Sequence, residues 1–304
     1  MLRHLTAKGA ALVDFEIIGL IWQFAPHNPN LAIELLKMLA ARGDESILRY
    51  VAMALTWPDD TPDGWAVKFA NPEDYLDILH NFERLPSLDD HVQRCLEGLG
   101  HMDPIQVVDF IEQRIGNTAE RHARDDQYDP IPFELSHAFE SIRTSSAYID
   151  VLRRVRDWML HEDVWFRDEA PRVLKALAGS LHPSLYRVLM TWVESDDIRK
   201  LKEVARLLHE FNVGSPFYDL CREIICRTDD ELILDSIAAA IDLTPEEGVR
   251  GGLSHFHRQR LEEISPWLQD ESFRVRRFAE RMRQSLQSQL EREQASEEFE
   301  RRQW

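Results

Sequence analysis

The chain has 304 residues, of which 44% are hydrophobic, and a formal net charge of -18. The hydrophobic fraction is enough to bury a substantial core, while 54 acidic residues against 36 basic ones argue against a large surface for nucleic-acid phosphates. We therefore expect a soluble protein or one with a basic partner, and nucleic acid is not the expected ligand.

The cysteine and hydropathy patterns bear on the compartment. Cys95, Cys221 and Cys226 lack the spacing of a disulfide framework, which favours a reducing, cytoplasmic environment. Cys221 and Cys226 lie five positions apart on a predicted helix, so they point about 140° from each other and cannot chelate a metal together. No apolar run approaches the roughly 18 residues of a membrane span. We expect buried cysteines, no metal and no membrane contact.

A capping residue followed by proline recurs along the chain and predicts helix starts. The side chain of Asn, Asp, Ser or Thr accepts from a first-turn amide, and proline in the first helical position has no amide to leave unpaired. Apolar residues at helical spacing follow, and strand-like alternation is essentially absent, so the predicted fold class is all-α, with an N-terminal capping helix in residues 1–27. The dipeptides are Asn28–Pro29, Asn71–Pro72, Asp103–Pro104, Asp129–Pro130, Ser215–Pro216 and Thr244–Pro245.

A second sequence pattern alternates with the capping residue–proline pattern and sets the register of the repeat. An acidic or polar pair opens a helix, a long or basic residue follows about five positions on, and a small residue comes three positions later. The small residues are Ala52, Gly98, Ala138, Ala170, Ala205, Ala238 and Ala279, separated by 32 to 46 residues. This spacing is typical of helix-pair repeats, and a small residue allows two helices to approach closely. About seven stacked antiparallel pairs are predicted, forming a right-handed α-solenoid with a concave and a convex face.

The segment Asp270–Ala279 resembles the second helix of a HEAT repeat, with an acidic cap, then Val-Arg, then Ala. Arg49, Arg167 and Arg276 occupy the arginine position of that pattern, and Lys202 is a conservative departure. Cys95, Leu135 and Asp235 depart from it. The resemblance covers roughly residues 28–290. It implies that the repeat Asp and Arg residues are structural and bond between neighbouring units, within a single solenoid whose repeats span 28–270 and whose last helix, 271–304, extends into a charged tail. Tetratricopeptide repeats are the alternative, but their 34-residue pattern does not recur.

Two polar loops carry weak metal-site patterns. Residues 59–64 match the first half of a calcium loop, but position twelve is Ala70 where a bidentate Glu is required, so a solvated loop is the better interpretation. Asp125, Asp126 and Asp129 lie near His122 and supply groups for a metal or for acid–base chemistry. No second cluster completes that site, and we interpret it as a helix cap and connector.

The longest insertion in the repeat pattern, residues 246–260, is the best candidate binding segment. It combines glycines with cationic and aromatic side chains, and we expect a surface loop with an exposed Phe256. In this hypothesis the three arginines hold a phosphate-bearing or acidic ligand against Phe256, whereas a plain connector is the alternative. His255 and His257 offer two metal ligands but lack a third. The candidate residues are Arg250, His255, Phe256, His257, Arg258 and Arg260.

Exposed aromatic residues are the other candidates. From Phe273 to Trp304 no Pro or Gly interrupts a predicted final helix of about 25 to 30 residues. Its distal part is highly charged, and it is either a solvated cap of the last repeat or a docking helix anchored by Phe299 and Trp304. Most tryptophans fall on apolar stripes, but Trp65 and the pair Trp165–Phe166 are predicted to lie where aromatic side chains anchor interfaces.

No nucleotide-binding, nucleophile-elbow or metalloprotease motif occurs, so we expect no catalytic residue, cofactor or metal. The leading hypothesis is a scaffold or adaptor that binds a protein partner on its concave face. One alternative is a sensor or regulatory arm of a larger bacterial effector or defence-type system, whose tail the charged C-terminal helix loosely resembles. A third, disfavoured by the acidic balance, is a HEAT-type enzyme acting on nucleic acid or a pigment.

Overall fold

The structure, a computed structural model, describes residues 11–42, 44–56, 66, 71–124, 127–131, 136–211, 214–243 and 253–303. Most of these residues are helical, with no β-strand among them, which confirms the all-α prediction. The α-helices of the described part are α1 (Ala11–Phe24), α2 (Pro29–Ala40), α3 (Glu45–Thr56), α4 (Pro72–Phe82), α5 (Asp90–Met102), α6 (Pro104–His122), α7 (Ser136–Thr144), α8 (Tyr148–Trp158), α9 (Val164–Ala178), α10 (Pro183–Val193), α11 (Ile198–Leu207), α12 (Ser215–Arg227), α13 (Glu231–Asp242), α14 (Leu253–Ile264) and α15 (Phe273–Gln303). Short 3-10 helices span Leu208–Glu210 and Ser265–Gln269.

Most predicted helix starts are confirmed by side-chain caps. Asn28, Asn71 and Asp103 each accept a hydrogen bond from a first-turn amide of α2, α4 and α6. Each of these helices has proline in its first turn, as the dipeptide pattern predicts. Asp197 and Asp230 cap α11 and α13 in the same way.

Two predicted caps are wrong, and one cap was missed. Asp129 accepts from the amide of Ile131, but this closes a local turn and no helix begins at the following proline. Ser215 is already inside α12, because Gly214 adopts a φ of 89° and takes the capping position one residue earlier. His182 caps α10 through its ring nitrogen, a role that the sequence pattern did not reveal. The dipeptide Thr244–Pro245 lies outside the described residues.

Contacts divide the chain into two compact units, residues 1–177 and 178–304. In the first unit α2 packs on its hairpin partner α3 and also on α4, the first helix of the next pair. The second helices continue the same pattern, because α3 packs on α5 and α5 on α7. These helices thus contact their own partner and the equivalent helix of a neighbouring pair.

The second unit repeats this arrangement with its own helices. α10 packs on α11 and α12, while α11 packs on α13 and α13 on α15. α14 lies against α15, the most extensive helix contact of this unit, and also touches α13. Its core combines fully buried aliphatic residues such as Ile224, Ile237 and Val275 with buried aromatic residues such as Phe217.

The small repeat residues are buried, with one exception. Ala52, Ala170, Ala205 and Ala279 are fully buried, as expected where two helices approach closely. Ala238 is only half-buried, and its role as a repeat residue stays a prediction. The buried stripe of α13 runs through Ile233, Leu234, Ile237, Ala240 and Ile241 and leaves position 238 at its edge.

Candidate interaction surface

The segment that the sequence predicts as a surface loop forms α14 from Leu253 onward. Phe256 is only 3% exposed, so the prediction of an exposed aromatic loop is wrong for residues 253–260. Positions 253, 256, 257, 260 and 264 follow helical spacing, and four of them are buried, which explains the helix physically. His255 and Arg258 remain exposed, and Arg250 lies outside the described residues.

The guanidinium of Arg260 is directed into the helix packing. Its Nη1 donates to the hydroxyl of Tyr218 on α12 at 2.6 Å, and its carbon lies 4.7 Å from the centre of the Phe256 ring. Burial raises the pKa of the Tyr218 hydroxyl, which stays neutral at physiological pH. Arg260 therefore joins α14 to α12.

His257 belongs to a polar cluster between α13, α14 and α15. Its Nδ1 lies 3.9 Å from Oδ1 of Asp242, and the amide of Gln289 donates to the other oxygen of that carboxylate at 2.8 Å. His255 faces solvent, so the two histidines do not converge. Across the residues that the structure describes, no group of three His, Cys, Asp or Glu side chains is arranged to hold a metal ion.

The C-terminal helix continues beyond the part that packs against other helices, as predicted. α15 has 31 residues, which makes it about 46 Å long. Between Leu286 and Phe299 no further residue of the helix is buried, and Phe299 is 62% exposed. Trp304 lies outside the described residues. The role of Phe299 and Trp304 as docking anchors stays a prediction.

The repeat arginines play two structural roles. Arg49 donates to the carboxylate of Asp89 at the start of α5 at 3.0 Å, the kind of bond between neighbouring pairs that the HEAT resemblance implies. Arg167 and Arg276 instead donate to two backbone carbonyls five and six positions earlier in the chain. Their identical offsets show that α9 and α15 begin with the same turn. Lys202 is exposed and has no ion-pair partner in the described part of the chain.

Arg114 is a buried anchor that the sequence analysis missed. Its guanidinium is fully buried on α6 and lies 4.7 Å from the centre of the Tyr128 ring. Burial lowers the pKa of Arg114 to about 10, so the group remains charged at neutral pH. The guanidinium donates to the carbonyls of Phe82, Glu83, Leu85, Asp129 and Pro130. These bonds connect the end of α4 to the segment that follows α6. The described part of the polar segment near His122 therefore has a structural role.

The two fully buried cysteines are packing residues. Cys95 and Cys221 are inaccessible to solvent, and burial raises the pKa of the Cys95 thiol to about 12 and that of Cys221 above its usual range. The thiolate is the nucleophilic form of cysteine. Both thiols remain protonated at neutral pH, so neither residue is in its nucleophilic form. Cys226 is half-buried.

The turn between α8 and α9 presents exposed aromatic and aliphatic side chains together, including Trp165 and Phe166, which the sequence singled out. We call it the corner patch. Leu160 is 37% exposed and Val164 is 45% exposed, while Trp165 and Phe166 are partly exposed beside them. The corner patch consists of His122, Leu160, His161, Val164, Trp165 and Phe166.

Hydrogen bonds fix the backbone beneath the corner patch. Asp163 caps α9 by accepting from the amide of Trp165 at 3.0 Å, and the ring of His161 accepts from the amide of Asp163 at 3.1 Å. The guanidinium of Arg167 holds the carbonyls of His161 and Glu162 at 3.0 and 3.1 Å. The turn is therefore ordered before any partner binds.

Ring contacts fix the side chains of the corner patch. His122 stacks on Trp165 with ring centres 4.9 Å apart and planes 13° from parallel, and His161 lies 4.4 Å from Phe166. Phe166 also makes an edge contact with the buried Trp158 at 5.7 Å. The indole nitrogen of Trp158 in turn donates to Glu112 on α6 at 2.7 Å. The surface aromatics are thus supported from below by a hydrogen-bonded tryptophan.

Comparison with known proteins found no relative of this chain. No protein-family model, curated protein or solved structure matches the chain. The HEAT resemblance stays a prediction. Of the described helices, none combines the length and the apolar character that a bilayer crossing requires.

Proposed function

We propose that the chain is a protein-binding scaffold built as a HEAT-like right-handed α-solenoid. The helix contacts support this architecture, because helices in each unit pack on their hairpin partners and on equivalent helices of the next pair. Such pairs bury their apolar stripes only against neighbours, which is how solenoids form a continuous core. The shared Arg167 and Arg276 turns support a repeat that recurs in both units.

The observation that carries the binding proposal is the corner patch. Binding costs the entropy of ordering flexible side chains and loops, and this turn is already ordered by its hydrogen bonds and ring contacts. Tryptophan is also among the residues that contribute most to protein interfaces. The placement of a partner on a concave face, proposed from the sequence, is a separate prediction.

A photo-crosslinking experiment tests the scaffold function. p-Benzoylphenylalanine replaces Val164 in the full chain, which is then irradiated in extract of its source cells, and the adducts are identified by mass spectrometry. We expect a discrete protein adduct. With that partner purified, Trp165→Ala is expected to weaken binding at least about tenfold, measured by calorimetry, because an anchoring tryptophan contributes about 2 kcal/mol or more.

Phe273 supplies the matched control position. It is 66% exposed and opens α15 after the same type of turn, so the crosslinker there is equally accessible. The adduct found at position 164 should be absent at position 273. The scaffold proposal fails if no protein adduct forms at position 164 or at Tyr50, Glu140 and Arg199, exposed positions on three other helices.

A further inference from the structure

We propose that the polar cluster of Asp242, His257 and Gln289 binds one divalent transition-metal ion, of the class to which Zn²⁺ belongs. The cluster lies between α13, α14 and α15, and each helix supplies one of its side chains. The ligand atoms are Oδ1 of Asp242, Nδ1 of His257 and Oε1 of Gln289. This site goes beyond the scaffold function and differs from the sequence-based expectation of no metal.

All three ligand atoms are buried without a hydrogen bond. His257 is 7% exposed, and none of the three atoms has a hydrogen-bond partner in the described part of the chain. A carboxylate oxygen, an amide oxygen and the unprotonated nitrogen of a neutral imidazole each present a lone pair. Burying a polar atom is unfavourable unless a partner satisfies it. Three such atoms in one cluster therefore indicate a shared electron-pair acceptor.

The distances within the cluster suit a bridging ion. Nδ1 of His257 and Oδ1 of Asp242 are 3.9 Å apart, which is too long for a direct hydrogen bond. An ion bound at about 2.1 Å from each atom spans separations of up to about 4.2 Å. The amide nitrogen of Gln289 donates to Oδ2 of Asp242 at 2.8 Å, so the oxygen of the same amide belongs to the same polar group. A hydrogen bond of this kind also orients a ligating carboxylate.

The charge of the cluster favours a cation over a water molecule. The carboxylate of Asp242 accepts from a neutral amide, and no Lys or Arg side chain pairs with it among the residues that the structure describes. Arg260, one turn along α14 from His257, donates to Tyr218 instead. A bound cation offsets the negative charge of the carboxylate, whereas a water molecule does not. A proton on His257 supplies charge but reaches a single acceptor.

The donor types select the class of metal. Imidazole nitrogen is a ligand for Zn²⁺ and its transition-metal neighbours, whereas Mg²⁺ and Ca²⁺ prefer oxygen ligands. Groups of three His, Cys, Asp or Glu side chains for a metal are absent from the described residues, and the third ligand here is an amide oxygen. Three protein ligands leave one tetrahedral position for water. Zn²⁺ is therefore the appropriate probe.

Calorimetric titration of the metal-free full chain with Zn²⁺ tests the inference. After the chain is stripped with a chelator, we expect it to bind one equivalent of Zn²⁺ with a micromolar or lower dissociation constant and to bind Mg²⁺ far more weakly. Asp242→Asn removes the charge of one ligand and His257→Gln removes the imidazole, so each should raise the dissociation constant for Zn²⁺ at least about tenfold. Zn²⁺ should also raise the melting temperature of the wild-type chain, because the ion binds the folded state.

His255→Gln is the matched control, because His255 is an exposed histidine on the same helix. It should leave the affinity for Zn²⁺ unchanged. The side chain of Asp242 is 35% exposed at the end of α13, so Asp242→Asn covers the case in which His257→Gln does not fold. Co²⁺ provides a readout that needs no variant, since its absorption spectrum should show ligand-field bands without a thiolate charge-transfer band.

Three results would overturn the inference. They are the absence of Zn²⁺ binding to the full chain, Zn²⁺ binding that Asp242→Asn or His257→Gln leaves intact, and a Co²⁺ spectrum with a thiolate band. The second result means an adventitious ion only, and the third places the ion at a cysteine. None of them bears on the crosslinking experiment, so the scaffold proposal stands or fails separately.

Discussion

Arginine side chains in this chain repeatedly satisfy backbone carbonyls near helix ends. The last carbonyls of a helix have no partner within it and carry partial negative charge. Arg143 donates to the carbonyls of Ala176 and Leu177 at the end of α9, and Arg274 donates to that of Cys226 near the end of α12. Arg114 differs from Arg143 and Arg274 in that its charge is fully buried, and carbonyl dipoles balance it.

Replacing Arg114 is therefore expected to destabilise the chain strongly. Arg114→Met leaves several buried carbonyls without a donor, and we expect the free energy of unfolding to fall by about 3 kcal/mol or more. Arg114→Lys should also be destabilising, because one ammonium group cannot reach carbonyls from two segments. Urea unfolding followed by circular dichroism measures both.

Arg153→Met is the matched control for this prediction. Arg153 is exposed on α8, and its ion-pair partner in the described part of the chain is the nearby Asp150. Exposed ion pairs contribute little, so its loss should change stability by less than about 1 kcal/mol. Equal effects of the two Met substitutions would contradict the anchoring role of Arg114.

At the scale of helices, α14 shows how polar side chains can form a buried face. His257 and Arg260 count as polar in any periodicity analysis, yet both are buried beside Phe256, where Arg260 donates to Tyr218 and His257 lies 3.9 Å from the carboxylate of Asp242. α15 is secured differently. Arg222 on α12 contacts the capping carboxylate of Asp270 at 2.6 Å, and this pairing lowers the pKa of Asp270.

Packing along α15 predicts which part of it stabilises the chain. Truncation after Leu290 removes residues of which none, as far as Phe299, is buried, so the free energy of unfolding should change by less than about 0.5 kcal/mol. Leu286→Ala removes a fully buried side chain and should cost about 2 to 5 kcal/mol. Thermal and urea unfolding measure both.

A large loss of stability on truncation would show that the distal part of α15 packs against the chain. A small loss, together with weaker binding of the cross-linked partner, would support the predicted docking role of Phe299. The two readouts are independent, because stability reports packing within the chain and calorimetry reports contact with the partner.

At the scale of the whole molecule, the proposed solenoid differs from a compact fold in how its core grows. In stacked pairs each apolar stripe is covered by the next pair, so length is added without a larger central core. The helix contacts within each of the two units follow this pattern. A compact globule of 304 residues would have a radius of gyration of about 19 Å.

Small-angle X-ray scattering of the monomer distinguishes these architectures. If the pairs stack into a solenoid, the radius of gyration should exceed about 19 Å clearly, with an asymmetric distance distribution. Size-exclusion chromatography with light scattering provides the control, since an oligomer would raise the same quantity. A monomer with the compact value and a symmetric distribution would reject the solenoid.

The sequence by itself determined the elements whose causes are local. Caps such as Asn28 and Asp103 act within one helical turn, and an alanine such as Ala279 marks a close approach wherever its helix packs. These signals predicted the all-α class, most helix starts and the long final helix. They also singled out Trp165, because it follows a predicted helix start and exposed aromatic residues anchor interfaces.

Only the tertiary structure decided which polar residues are buried and which apolar ones stay exposed. Arg114 finds its carbonyl partners up to 32 positions away along the chain, and Arg260 meets Tyr218 at a separation of 42. No local pattern encodes such partners, because burying a guanidinium becomes acceptable only when acceptor oxygens from distant parts of the chain converge on it. The corner patch depends on the same principle, since stacking between His122 and Trp165 brings α6 and α9 together.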